Sequence, residues 1–425
     1  MRIFWMKSDF IVPADTGGKI RTYNLMRELR QLCDVTYLAY QPTDSPRDRA
    51  AASACATEIA TIHRPEEIKS GWQFYARVLC GLPSPLPYIA RKYRSAAMRQ
   101  LLVNSVARSR GQGEECIVLC DFLEMAENVA WDLPCPKVLF QHNVESVIWE
   151  RYFQTESHPL KKAYFGFESR RLKRYESRIC NRFDLVFTVS GKDAARLRDG
   201  LQVRRPLAIL ETGVDTEFFR PRPATPTIPG RLLFLGSMDW MPNIDGVQWF
   251  VEEVWPLIRS ERPEASLDIV GRRPGVEVRR LVQTAPGLRV VPDVPDVRPY
   301  LAEADLFVVP LRIGGGTRIK IYEAMAMAKP VVATSIGAEG LPLDPARHIA
   351  LGDSAADFAR CVVDLLACPS SKRRMAEAAH RFVVDNYQWN KVARNLLAHC
   401  EALTRGRSAG TALRNSARRA ASAGG

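Results

Sequence analysis

Leu306-Phe307-Val308-Val309-Pro310-Leu311-Arg312-Ile313-Gly314-Gly315-Gly316-Thr317-Arg318-Ile319-Lys320-Ile321-Tyr322-Glu323-Ala324-Met325-Ala326-Met327-Ala328-Lys329-Pro330-Val331-Val332-Ala333-Thr334 is the stretch on which the fold turns. An apolar, β-branched run closing at Pro310 enters a glycine-rich turn, continues as a helix-forming segment and returns to a second apolar strand at Pro330. Two parallel strands need a crossover of this kind, so the stretch reads as one βαβ unit. Glycines let the backbone approach a phosphate, and a helix N-terminus offers free N–H groups and the positive end of its dipole. Arg318 and Lys320 stand in that first turn, where the dipole disfavours cations, and a bound diphosphate would offset the conflict. Gly315, Gly316 and Thr317 then face the ligand, and Glu323, one turn along, is placed to accept hydrogen bonds from ribose hydroxyls. A plain tight turn before a structural helix is the competing reading; three glycines and two misplaced cations favour the anion.

The same alternation extends outward in both directions. Before the stretch, strands are expected at Arg2–Met6, Val35–Tyr40, Glu58–His63, Cys116–Asp121, Lys137–Gln141, Leu185–Ser190 and Leu207–Glu211, with helices such as Lys19–Gln31 and Ala96–Ser109 between them. A second series reads Arg231–Leu235, Ser266–Val270, Leu288–Val291, Leu306–Pro310 and Pro330–Thr334. The two series are separated by Pro221-Arg222-Pro223-Ala224-Thr225-Pro226-Thr227-Ile228-Pro229-Gly230, which cannot continue a helix or a central strand. The expectation is an α/β protein of two Rossmann-like, doubly wound parallel-sheet domains facing a cleft, residues 1–220 and 221–385. A C-terminal helix over 386–403 is expected to cross back to the first domain. The basic tail 404–425, with five arginines and no apolar period, is expected to be disordered.

Composition narrows the partners. The 425 residues are 46% hydrophobic and 25% charged, enough for real cores, with a formal charge of +13 that suits nucleic acid, an anionic membrane face or a phosphorylated small molecule. Ten cysteines lie scattered in apolar segments with no C-x-x-C pair, and the six histidines stand at no zinc-ligand spacing, so reduced thiols in a cytoplasmic, metal-free protein are expected. The opening Met1-Arg2-Ile3-Phe4-Trp5-Met6-Lys7 reads as a first strand, and no run reaches the roughly 18 apolar residues of a spanning helix.

Three further segments carry candidate chemistry. Thr16-Gly17-Gly18-Lys19 permits a tight strand-to-helix turn near an anion, or is simply a turn. His142 follows the strand Lys137–Gln141, where residues lining a ligand crevice stand in such sheets. The helical stretch Pro159–Phe183 carries eight basic residues against two glutamates, a net +6, with interleaved aromatics. Arg170, Arg171, Lys173 and Arg174 at its centre suit an anionic membrane surface or a lipid-linked acceptor, with a solvated face as the alternative. No nucleic-acid motif accompanies them, so no specific nucleic acid is expected.

From Arg2 to Leu403 the chain resembles glycosyltransferase family 4, the retaining group of GT-B enzymes that includes many bacterial cell-surface polysaccharide and glycolipid enzymes. The landmarks are Gly17-Gly18, the strand end at His142, Thr188-Val189-Ser190, Thr212-Gly213-Val214-Asp215, Phe234-Leu235-Gly236-Ser237, Ile269-Val270-Gly271, Val294-Pro295-Asp296-Val297, Ala304-Asp305-Leu306 and Glu323-Ala324-Met325-Ala326. The resemblance implies a donor site for a UDP- or GDP-linked sugar formed by Gly17, Gly18, Gly236, Val294, Gly315, Gly316, Thr317 and Glu323. Glu323 would hold the ribose, backbone groups at Val294 would meet the base, and His142 would hydrogen-bond the donor sugar. The family's first motif glutamate falls at Gly315, and its phosphate-binding Arg and Lys fall at Ser237 and near Asp245. Arg318 and Lys320 are expected to replace the two cations.

The implied activity is metal-independent, retaining sugar transfer to a hydroxyl acceptor that is lipid-linked or a polysaccharide precursor. The nucleotide-sugar is the donor substrate, and no cofactor is needed. Arg318 and Lys320 would stabilise the departing diphosphate, which could itself serve as the base. A cytoplasmic protein, peripheral at the inner face of the plasma membrane, follows from this reading. The missing first glutamate also admits a non-catalytic nucleotide-sugar or polysaccharide-binding partner, and the fold admits a nucleotide-sugar epimerase.

Overall fold

The computed structural model describes residues 1–14, 16–43, 45–65, 72–313 and 318–422. The chain divides into two compact units, Met1–Glu211 with Asn390–Gly425, and Thr212–Trp389.

The first unit is built on seven parallel strands, β1 (Arg2–Lys7), β2 (Asp34–Gln41), β3 (Glu58–His63), β4 (Cys116–Asp121), β5 (Lys137–Phe140), β6 (Leu185–Thr188) and β7 (Leu207–Ile209), in the order β3-β2-β1-β4-β5-β6-β7. All but the outermost are apolar on both faces, as a sheet covered by helices on both sides requires. Phe4, Met6, Val118 and Cys120 point to one layer, where they pack with Leu172 and Tyr175. Helices that recur below are α1 (Gly17–Leu29), α2 (Trp72–Cys80), α3 (Glu145–Thr155) and α4 (Pro159–Cys180). The strand order reverses between β1 and β4, which pair from Arg2↔Cys116 to Met6↔Cys120. Their carboxyl ends, Lys7 and Asp121, therefore open the crevice in which sheets of this kind bind ligands.

The second unit has six parallel strands, β8 (Arg231–Leu235), β9 (Ser266–Gly271), β10 (Leu288–Pro292), β11 (Leu306–Val309), β12 (Val331–Ala333) and β13 (Ala350–Leu351), ordered β10-β9-β8-β11-β12-β13. Here the reversal lies between β8 and β11. The turn from β8 leads into α5 (Met241–Trp249), and α6 (Ile319–Ala326) is the crossover from β11 to β12. The two-residue β13 is too short to carry a sequence signal.

The units divide ahead of the proline-rich stretch, whereas the composition places the boundary at residue 220. Residues after Glu211 are already committed to the second unit: Val214 donates its N–H to the Tyr387 carbonyl at 2.7 Å, and the Trp389 ring lies against Gly213. Arg298 stacks 3.6 Å over Phe218. At the far end α7 (Trp389–Ser422) leaves the second unit after Trp389 and joins the first from Asn390 onward, where His399 meets the Phe187 ring edge-on at 5.5 Å. This helix runs through 404–422, which composition alone reads as disordered; alanine and arginine are strong helix formers once a preceding helix supplies the nucleus.

Candidate functional site

In the first unit the crevice is organised around Asp121. Its carboxylate, fully buried at the end of β4, accepts from His142 Nε2 at 2.6 Å, Thr22 Oγ1 at 2.6 Å, Trp5 Nε1 at 3.0 Å and Lys7 Nζ at 3.2 Å. Burial pushes the carboxyl up, but Lys7, His142 and Thr22 outweigh it and hold it well below the usual carboxylate range. Arg21 Nη1 lies 3.3 Å from the other ring nitrogen of His142. A guanidinium only donates, so His142 Nδ1 accepts, Nε2 carries the proton, and the imidazole is neutral. Burial first, then Arg21 and Lys7, lower its pKa to about 4 against the pull of Asp121.

The backbone above this network is shaped by Phe122, which sits at φ 71. Its ring stacks on His142 at 3.9 Å between centroids, and Lys7 Nζ lies 4.3 Å from the centre of the same ring. A Cβ at Gly18 would lie 2.9 Å from Phe122 Cζ, so the start of α1 needs a glycine there to come so close. Gly17 is the first residue of α1, behind the Thr16 cap. The expected residues Gly17, Gly18 and His142 are thus brought together. The structure adds that both His142 ring nitrogens are engaged within the chain, so a sugar contact through either displaces Asp121 or Arg21. Asp121, Lys7 and Arg21 escaped sequence reading; a carboxylate terminating an apolar strand was the available signal. Beside the network, Glu145 at the start of α3 is pushed up to about 8 by burial and by Glu176 and Glu124, and Glu176 accepts from the backbone N–H groups of Glu145 and Ser146.

In the second unit α6 begins at the switch point. Arg318 is its N-cap residue and only 6% exposed, with its guanidinium carbon 5.5 Å from the centre of the Trp240 ring. Lys320 Nζ donates to the Leu235 carbonyl at 2.7 Å and to Asn243 Oδ1 at 3.2 Å, over the Phe234 ring at 4.5 Å. Burial, then Arg318, lower this lysine to about 7, with Glu323 opposing. Half-buried Glu323 is raised to about 7 by burial, against Lys320. At Gly236 a Cβ would stand 2.8 Å from Asn243 Cγ, so only glycine lets Asn243 fold back to the Ser237 carbonyl. Val294 follows β10, half-buried against the core. Gly315, Gly316 and Thr317 lie outside the described residues. Asp245, near the expected position of a phosphate-binding lysine, forms a bidentate pair with Arg312 at 2.8 and 3.2 Å. Among the described residues no group of His, Cys, Asp and Glu is arranged to hold a metal ion.

On α4 the four expected basic residues separate into two kinds. Arg170, Lys173 and Arg174 are exposed. Arg171 is not part of that face: its guanidinium pairs with Glu168 and donates to the carbonyls of Gly81, Ser84 and Leu86, while Glu168 accepts from the Tyr88 N–H at 2.9 Å. It ties α4 to the segment following α2, a contact that helical charge counting cannot see. Leu160 and Phe167, 77% and 41% exposed, lie along the same helix.

Comparison with known proteins gives the family and the fold. A family profile described as Glycosyl transferases group 1 matches residues 229–368, and one described as Glycosyltransferase Family 4 matches residues 121–218. The chain belongs to glycosyltransferase family 4. It is 30% identical over 233 residues to a GDP-mannose-dependent alpha-(1-6)-phosphatidylinositol monomannoside mannosyltransferase of Mycolicibacterium smegmatis, covering 50% of this chain and 60% of that one. It is 24% identical over 263 residues to an uncharacterized 44.6 kDa protein in the cps region of Klebsiella pneumoniae, covering 60% of this chain and 66% of the relative. The matches thus span about three fifths to two thirds of the relatives' own length. A sucrose-phosphate synthase from Thermosynechococcus elongatus has a similar structure, with TM-score 0.70 at 17% identity over 96% of this chain and 100% of the other. The family 4 chain described here has the GT-B fold, two parallel-sheet α/β domains.

Proposed function

We propose that this family 4 chain is a retaining, metal-independent glycosyltransferase that moves a sugar from a nucleotide-diphosphate sugar to a hydroxyl acceptor. The observation that carries the reading is the pair Arg318 and Lys320 at the N-terminus of α6, one buried and one half-buried cation on a helix end that itself favours an anion. A departing diphosphate fits this place, and fixed cations there lower the barrier most where charge develops. Glu323 accepts from the ribose hydroxyls, backbone groups at Val294 meet the base, and the oxygen of the leaving phosphate takes the acceptor proton. Gly17, Gly18 and His142 form the wall of the first unit that meets the sugar, with Asp121 fixing the imidazole. GDP-mannose use by the mycobacterial relative supports a GDP-linked donor, with UDP as the other choice.

The same relative's name speaks for a phosphatidylinositol-type acceptor, and so does α4. No helix among the described residues is long and apolar enough to cross a membrane. The exposed Arg170, Lys173 and Arg174, with Leu160 and Phe167, would dock the protein peripherally on an anionic cytoplasmic face.

A panel of UDP- and GDP-sugars, assayed with and without EDTA in the presence of extracted membrane lipids, tests this directly. Nucleotide release coupled to a glycosylated product with the donor's anomeric configuration, unchanged by EDTA, is the expected result. Binding without turnover across the panel would establish the non-catalytic alternative, and isomerised nucleotide-sugar would establish an epimerase.

A further inference from the structure

The turn from Leu235 to Asn243 contains no cation, although the family resemblance puts a phosphate-binding arginine at Ser237. It holds the cations of α6 in place. Lys320 is anchored to its two ends, the Leu235 carbonyl and the Asn243 amide. Asn243 is fixed in turn, its Nδ2 donating to the Ser237 carbonyl at 2.8 Å and its N–H to the Trp240 carbonyl at 2.9 Å. Trp240, at the apex, lies beside the Arg318 guanidinium, and 38% of its own surface remains open to solvent.

We infer that Trp240 is a positioning residue for the donor diphosphate, its ring holding the Arg318 guanidinium at the N-terminus of α6 and covering it from water. This rests on the reading of α6 as the diphosphate site. An arginine keeps its charge when buried, so Arg318 cannot relieve its repulsion from Lys320 by losing a proton. The negative face of an indole attracts a guanidinium, more strongly when water is excluded. Covering the cation also reduces the screening of its attraction for a phosphate. A long side chain already restrained against a ring has less freedom to lose when the ligand arrives. The turn has thus exchanged the role of supplying charge for that of aiming it.

Calorimetric titration with UDP and GDP tests the inference on the full chain, comparing wild type with Trp240→Phe, Trp240→Ala, Trp240→Leu, Arg318→Ala and the Trp240→Ala/Arg318→Ala double variant. Trp240→Ala is expected to weaken the better-bound nucleotide about tenfold, while Trp240→Phe, which retains a π face, stays within about twofold. Trp240→Leu keeps apolar volume without that face and serves the same comparison should the alanine variant unfold. In the Arg318→Ala background, Trp240→Ala should cost nothing more, because the ring acts through the guanidinium. Wild-type affinity in folded Trp240→Ala or Trp240→Leu, with Arg318→Ala still impaired, would overturn the inference and leave the diphosphate site standing. An undiminished tenfold loss on adding Trp240→Ala to Arg318→Ala would also overturn it, since the ring would then touch the ligand itself. If Arg318→Ala and Lys320→Ala both bind nucleotide as wild type does, the site assignment falls and the role of Trp240 with it.

Discussion

Lys320 is a lysine poised to change charge near neutrality, and its pH behaviour is a signature of the site. Burial and Arg318 lower it from 10.5 to about 7, and Glu323 beside it is raised to about 7. Above pH 7 the free protein therefore carries less positive charge at α6, and a diphosphate must bring protons with it. Nucleoside diphosphate affinity should fall between pH 7 and 9 by about tenfold per pH unit for each proton taken up, and Lys320→Gln should flatten the curve. Stability runs the other way: the unfolded lysine keeps its proton to about 10.5, so Lys320 contributes stability that rises with pH from about 7 to that value. Glu323→Gln should weaken nucleotide binding by about 1–3 kcal/mol if the carboxylate accepts ribose hydroxyls, as calorimetry would read. Equal binding by the glutamine variant would make Glu323 structural. In the first unit Asp121→Asn leaves the buried Lys7 ammonium with only the more distant, half-exposed Asp9 carboxylate 3.8 Å away, and a loss of about 3–5 kcal/mol of unfolding free energy is expected in denaturant titration. A change below about 1 kcal/mol would mean that Lys7 finds its compensation elsewhere.

At the scale of the element, α4 shows how one helix divides its charges between folding and docking. Arg171 belongs to the fold, joined to Glu168 and to three carbonyls of the segment after α2. Arg170, Lys173 and Arg174 face water. Reversing these three to Glu should abolish sedimentation with anionic vesicles, each cation near such a surface contributing about 1 kcal/mol, while the melting temperature holds. Arg171→Ala should do the opposite, lowering stability by about 3 kcal/mol with vesicle binding retained. Binding by the wild type should fade as salt rises, and indifference to anionic vesicles at low salt would make the exposed face merely solvated. The first turn of α6 and the chain leading from β8 into α5 make a second such division. One carries the cations, and the other carries the ring and amide that hold them.

Across the whole molecule, the alternation of apolar strands with helical segments makes both sheets and most strand positions legible in the sequence. So are the positions of Arg318, Lys320 and the Gly17-Gly18 turn at strand-to-helix junctions, where local composition marks them, with Glu323 one turn further along α6. What sequence reading missed has a common physical reason. Asp121 meets Lys7 and Trp5 across a parallel strand pair, Lys320 reaches from α6 to the Leu235 carbonyl at the end of β8, and Arg171 reaches backbone carbonyls far back along the chain. Contacts of that kind leave no periodicity in the sequence, since they depend on which strand lies next to which. The unit boundary moved for the same reason, because residues 212–220 are assigned by what they pack against and not by their composition. The sequence by itself determined the two doubly wound units, the crossover at α6 and the sign of its charge, all of which rest on local propensity and short-range pattern. Only the tertiary structure decided that His142 is held neutral between Asp121 and Arg21, that Trp240 covers Arg318, and that Arg171 is part of the fold. Burial and neighbouring charge set those states, and both come into being when distant segments pack.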